Sequence, residues 1–299
     1  MTSMLTIVSL VLVPGIAFIS TILFASLWKK IALHYSIASI PNERTLHIGA
    51  IPVGGGVAIV MGWTLAASVL LWVGALDLSM FIGLMVGGSF MSALGLIDDA
   101  RDLSVRLKLI AQVAGTLWCL YWFGGVPPFD MLGLEINPGW IGYPVAGIII
   151  LWVINLFNFM DGADGMLASC VSFIGISMGS FLVLEGDYQN AALLYSLSAA
   201  SMGFLVFNWP PATMFMGDAG SVFFGLVTPM LVISTVLDHK RLFWIWIIIC
   251  GYVLTDTTTT LILRLVYVRP FQDAHRQHAY QSLAYRSGAV GARTPLGGA

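Results

Sequence analysis

Apolar runs of about twenty residues recur along the chain, parted by short segments where Gly, Pro, Asn and charged side chains gather. A helix rising about 1.5 Å per residue needs about 20 such residues to cross the hydrocarbon of a bilayer. The pattern predicts nine spans, at 5–27, 54–74, 80–97, 107–123, 141–159, 166–184, 191–207, 221–237 and 243–265. The fold class expected is therefore all-α, a polytopic membrane helix bundle of about nine transmembrane helices. No heptad array or internal repeat is evident. The segment 124–140 alternates turn residues with short apolar pieces and predicts a small hairpin. Residues 1–281 are expected to form one membrane-embedded domain, with 282–299 as a short tail lacking any apolar run that approaches a span.

Composition agrees with the pattern. Hydrophobic residues make up 58% of the 299, charged residues only 9%, and mean hydropathy is +0.90, which rules out a water-soluble globule. A net charge of −2 gives no basic face for nucleic acid. Cys119, Cys170 and Cys250 fall inside apolar runs, too scattered for a metal or disulfide framework.

Charge fixes the expected orientation. The first span carries no leading positive charge and runs into Trp28, Lys29 and Lys30, the reverse of a cleavable signal peptide. With those lysines inside, the N-terminus lies outside. Alternating the nine spans puts Lys29, Lys30, Arg44, Arg101, Arg106, Lys108, Arg264, Arg269, Arg276, Arg286 and Arg293 on the cytoplasmic side and leaves only Lys240 and Arg241 outside, a strong positive-inside bias. The same alternation gathers Asp98, Asp99, Asp102, Asn158, Asp161, Asp164, Asp218, His275 and His278 on that side. An active site at the cytoplasmic face is the consequence.

Four segments carry the chemistry. Asn155, Asn158, Asp161 and Asp164 recur every third residue at the end of an apolar run, so on a helix they share a broad face; a plain helix C-terminus with Asn/Asp/Gly turn chemistry is the competing reading. Asp98, Asp99 and Asp102 crowd one short segment, where like charges invite a cation, unless Arg101, Arg106 and Lys108 simply pair with them at a solvated helix end. Asp218 stands between glycines, which allow backbone to approach a ligand, and would equally serve as an N-cap. Arg44 and His47 precede three glycines, Gly54 to Gly56, an arrangement suited to a phosphate or to an ordinary basic loop.

Taken together, Asp98-Asp99-Ala-Arg-Asp102, Asn155-Leu-Phe-Asn158-Phe-Met-Asp161-Gly-Ala-Asp164-Gly, Phe215-Met-Gly-Asp218-Ala-Gly-Ser221 and His275-Arg276-Gln-His278-Ala-Tyr280-Gln281 resemble, in order, the motifs of polyprenyl-phosphate N-acetylhexosamine-1-phosphate transferases. The branch that begins bacterial O-antigen or related glycans is the most similar, a relative of the peptidoglycan translocase that makes lipid I. The resemblance implies transfer of a sugar 1-phosphate from UDP-N-acetylhexosamine to undecaprenyl phosphate, with release of UMP, in the bacterial inner membrane. It implies Mg²⁺, with Mn²⁺ as a substitute, held by Asn158 and Asp218. Asp98, Asp99, Asp161, Asp164 and His278 would be catalytic, and Arg44, His47, Asn155, Asp161, Asp164, His275, Arg276 and His278 would bind substrate. A homodimer is allowed and a nucleic-acid partner is not expected.

His34 and His239 read as incidental, and Asp256 in the last span as a structural partner, with Arg264 the candidate counterpart, ahead of any catalytic role. Members of the family usually carry one or two further spans after the histidine motif, so the tail at 282–299 reads as a truncation or a divergent end. The alternatives are an ion-coupled secondary transporter, against which the acids sit at one interface rather than mid-membrane, and an inactive truncated homologue.

Overall fold

The computed structural model describes residues 3–39, 51–126, 128–131, 134–255 and 258–259. Their helices follow the apolar runs: α1 (Met4–His34, π-helical over Val8–Leu12), α2 (Gly56–Trp72), α3 (Leu78–Arg101), α4 (Val105–Trp122), α5 (Gly142–Met160), α6 (Met166–Glu185), α7 (Tyr188–Asn208), α8 (Asp218–Asp238) and α9 (Leu242–Ile249). The predicted spans from 54–74 to 221–237 coincide closely with α2 to α8. Helix α1 outruns its prediction, continuing to His34 through Lys29 and Lys30, both good helix formers.

Among the described residues, six helices are long and apolar enough to cross a membrane: α1, α3, α5 with its leading 3₁₀ turn, α6, α7 and α8. Helix α2 has 17 residues, α4 carries Arg106, Lys108 and Gln112, and α9 has eight residues, with helix again over 251–255. The chain is thus a multi-pass helical membrane protein.

Helix α8 is the most enclosed, packed against α3, α5 and α2, whereas α1 and α5 turn apolar residues such as Leu23, Ile148 and Ile149 outward. For a helix in lipid those outward faces are ordinary. Close backbone approach positions the central contact: a Cβ on Gly95 of α3 would run into the backbone of Asp218. On the other side Trp63 is fully buried, donates to the Leu193 carbonyl at 3.0 Å and meets Phe223 edge-to-face at 5.6 Å.

Two antiparallel hairpins complete the described structure. Strand β1 (Ala38–Ser39) pairs with β2 (Ile51–Pro52), and β3 (Phe129–Met131) with β4 (Leu134–Ile136), the latter where the 124–140 pattern predicted one. The end of α1, the β1–β2 hairpin, the ends of α3, α5 and α7, and the starts of α4 and α8 share one end of the bundle.

The opposite end is tied by polar contacts. Asp187 caps α7, accepting from Asn190 N–H at 3.0 Å and from its amide at 2.7 Å, while Asn190 in turn accepts from Ser234 at 2.9 Å. His239 is not incidental: its two ring nitrogens lie 3.7 Å from Glu185 and 3.8 Å from Asp187. Asp187→Ala removes a cap and orphans the buried Asn190 amide, together about 2 kcal/mol. The thermal unfolding midpoint is expected to fall by several degrees; an unchanged midpoint would show this network to be idle.

Candidate functional site

Helix α3 ends in the first two acids of the site. Asp98 is buried; one carboxylate oxygen accepts the Leu103 N–H at 2.8 Å and the other pairs with the Lys108 ammonium on α4. The chain can reverse so sharply into α4 because Asp102 adopts a left-handed conformation, φ 47°, and its N–H donates to the Asp98 carbonyl. Asp99 faces the other way. Its two oxygens accept the N–H groups of Asp218 at 2.9 Å and Ala219 at 3.3 Å, so it caps α8 from a helix 119 residues earlier in the chain. A negative charge at a helix N-terminus is favourable, and two otherwise unpaired donors are satisfied.

Gly217 makes this junction possible. Its φ of 70° places it in the region that favours glycine, and a Cβ there would collide with the Asp99 carboxylate. Gly217→Ala is expected to lower the unfolding midpoint, since strain and clash act together, each worth about 1 kcal/mol or more. A midpoint equal to wild type would show that α8 starts elsewhere.

Helix α5 supplies the remaining polar groups, though not on one helical face. It stops at Met160, so only Asn155 and Asn158 are i,i+3 partners; Asp161 lies at the C-terminal cap and Asp164 in the turn that follows. Asn158 donates to Asp218 at 2.7 Å and to Ser221 at 3.1 Å, which leaves its amide oxygen available. Asp161 lies close to the Gly217 backbone, beside Asp218. Burial, then the negative charges of Asp218 and Asp99, hold the Asp161 carboxyl well above the usual carboxylate range.

Asp98, Asp99, Asp102, Lys108, Asp218, Ala38 and Val53 line a cavity of about 330 Å³ at this end of the bundle. The carboxyl groups of Asp98 and Asp218 are in hydrogen-bonding contact. Two carboxylates so placed require a shared proton or a cation between them. Oxygen donors from Asp98, Asp218 and Asn158 suit a hard divalent ion. Among the described residues no three acidic, His or Cys side chains form a ready-made metal cage. An ion held here would take one or two carboxylates and complete its shell with substrate phosphates and water.

The structure thus brings together Asp98, Asp99, Asn158, Asp161 and Asp218. Asn155 stands apart, exposed and bonded to the Leu151 carbonyl at 2.7 Å. Asp164 accepts the Ala212 N–H at 2.8 Å and so anchors a loop. Arg44, His47, His275, Arg276, His278 and Asp256 lie outside the described residues. Lys108, read from sequence only as one of several flanking cations, lines the cavity and pairs with Asp98; its spacing of ten residues from Asp98, across a helix break, carries no periodic signal.

The chain has known relatives. It is 30% identical over 279 residues to a probable undecaprenyl-phosphate N-acetylglucosaminyl 1-phosphate transferase of Bacillus subtilis, an alignment covering 90% of this chain and 75% of that protein. It is 29% identical over 200 residues to the phospho-N-acetylmuramoyl-pentapeptide-transferase of Moorella thermoacetica, covering 62% of this chain and 61% of the relative. Against the decaprenyl-phosphate N-acetylglucosaminephosphotransferase of Mycolicibacterium smegmatis the identity is 28% over 226 residues, covering 68% and 55%. The chain therefore spans three quarters of the first relative and less than two thirds of the other two. The family profile of glycosyl transferase family 4 matches residues 81–236, a stretch that runs from α3 through Asp98, Asn158 and Asp161 to Asp218 and most of α8. With that match, and with a relative 30% identical over 90% of this chain, the chain belongs to glycosyl transferase family 4.

Proposed function

We propose that this chain transfers an N-acetylhexosamine 1-phosphate from a UDP-sugar to undecaprenyl phosphate, releasing UMP and starting a lipid-linked cell-envelope glycan such as O-antigen. The observation that carries the reading is the contact of Asp98 with Asp218 in a cavity that also holds Lys108. The relatives, two named as polyprenyl-phosphate N-acetylglucosamine phosphotransferases and one as a phospho-N-acetylmuramoyl-pentapeptide-transferase, support the same class.

In this reaction an oxygen of the lipid phosphate forms a bond to the phosphorus that bears the sugar, and the bridge to the uridine phosphate breaks, its electron pair leaving with UMP. Two anions must meet, so the barrier is largely charge repulsion. Asp98, Asp218 and the Asn158 amide oxygen are assigned to Mg²⁺, which when bound supplies positive charge to the phosphate oxygens. Lys108 is assigned to a phosphate, exchanging its pairing with Asp98 for the substrate anion. Asp161 is assigned to the nucleotide by resemblance. No general base is needed for the acceptor, because a phosphate monoester with a second pKa of about 6 is already largely ionised near neutral pH. Arg44, His47, His275, Arg276 and His278 remain assigned to substrate by resemblance.

Orientation follows from charge. Of the described basic residues, Lys29, Lys30, Arg101, Arg106 and Lys108 belong to the site's end of the bundle and Lys240 and Arg241 to the other. The site's end is accordingly the cytoplasmic one, the N-terminus outside, in the inner membrane of a bacterium. Purified chain given labelled UDP-N-acetylglucosamine, undecaprenyl phosphate and Mg²⁺ is expected to release UMP and form a lipid-linked diphosphate sugar. A panel of UDP-N-acetylhexosamines identifies the donor; no UMP from any of them refutes the assignment.

A further inference from the structure

We propose that Asn208 is a positioning residue for the divalent-cation site, holding the turn that carries Asp161 and Asp164 in register with the loop that leads into Asp218. The inference rests on the transferase reading for its purpose and on the hydrogen bonds alone for its geometry. Asn208 ends α7 and is 2% exposed. Its amide oxygen accepts the Gly165 N–H at 3.0 Å, and its amide nitrogen donates to the Met214 carbonyl at 3.0 Å.

Both partners require this side chain. Gly165 is the N-cap of α6, where backbone N–H groups have no intrahelical acceptor. The Met214 carbonyl lies in a loop whose neighbouring N–H groups, Thr213 and Met214, are already bonded to Phe207. One planar amide offers an acceptor and a donor in opposite directions, which neither a carboxylate nor a hydroxyl does at that length. In the sequence Asn208 is simply an Asn before Trp-Pro-Pro, and it reads as a helix stop.

Its effect reaches the acids through short backbone paths. Asp161 lies four residues before Gly165 and close to the backbone of Gly217, three residues beyond Met214. Asp164 adds a parallel tie to Ala212. Past the loop, Phe215 and Met216 offer their carbonyls to Gly55 and Gly56, each at 3.0 Å, so the loop is fixed on its far side independently. Alongside the Asp164 tie, Asn208 sets where the α5–α6 turn sits against that fixed loop, and hence how Asp161 stands relative to Asp218.

The test uses full-length wild type, Asn208→Ala and Asn208→Ser, purified and monodisperse. Free Mn²⁺ is followed by electron paramagnetic resonance during a titration with UMP present and no sugar donor or lipid. The expected result is a Kd raised roughly 10-fold or more in Asn208→Ala, and raised less in Asn208→Ser, as removal of groups that orient metal ligands does elsewhere. UMP release from the complete reaction should show the matching shift in the Mn²⁺ concentration for half-maximal rate. A merely structural role would lower the amount of folded protein and leave Kd untouched. If Asn208→Ala does not fold, Asn208→Ser carries the test, and a wild-type Kd in that variant overturns the proposal. No Mn²⁺ binding by wild type overturns it also. Wild type that binds Mn²⁺ yet releases no UMP defeats the transferase reading alone, because the comparison of affinities stands without turnover.

Discussion

Asp218→Asn is expected to lower UMP release by roughly 10³-fold, the scale seen when one preorganised electrostatic group is removed from a phosphoryl or acyl transfer site. The substitution keeps the size of the side chain and leaves the Asp99 cap on the α8 backbone untouched, so the helix should start where it does in wild type. What it removes is one of two carboxyl groups in contact. The amide can donate to Asp98, which relieves repulsion that a cation would otherwise have to offset. Stability without added cation should therefore be equal to or greater than that of wild type while activity collapses. Rate and unfolding midpoint measured on the same preparations give the check. Activity within tenfold of wild type, or loss of activity only alongside unfolding, would remove Asp218 from the cation site. Stability traded for function in this direction is the usual mark of an active-site charge.

The helices were legible because lipid demands long apolar runs, and α2 to α8 lie almost where hydropathy puts them. The motif residues were legible as types: Asp98, Asn158, Asp161 and Asp218 do converge. Their individual duties were not. A period of three suggested that Asn155 and Asp164 share a helical face with Asn158 and Asp161, but the helix ends at Met160, and beyond it sequence spacing no longer sets direction. Asp164 then bonds the Ala212 backbone, and Asn155 its own helix. The sequence does not show the role of His239 because its partners, Glu185 and Asp187, sit where α6 gives way to α7, far earlier in the chain. Lys108 was legible as a counter-ion of the acidic segment, and the fold pairs it with Asp98, whereas the contacts of Asn208 join segments that sequence separates.

Asp99 shows most directly what tertiary contact adds, and it yields the second large effect. The family resemblance pairs it with Asp98 as an acidic couple fit to act as a base for the lipid phosphate or to bind metal. In the fold the two diverge, Asp98 toward Lys108 and Asp218, and Asp99 onto the N-terminus of α8. A residue that fixes the start of α8 fixes Asp218 at its first position, and displacement of a reacting constellation by about 1 Å can cost about 10²-fold in rate. Asp99→Ala is expected to cost about that much, together with about 1 to 2 kcal/mol of stability from the lost cap. Asp99→Asn keeps one oxygen for the Asp218 N–H and should lose much less on both counts. A general base makes the opposite prediction, since an amide cannot take a proton and Asn would then be as inactive as Ala. Turnover and unfolding midpoints of the two variants, measured side by side, decide between anchor and base.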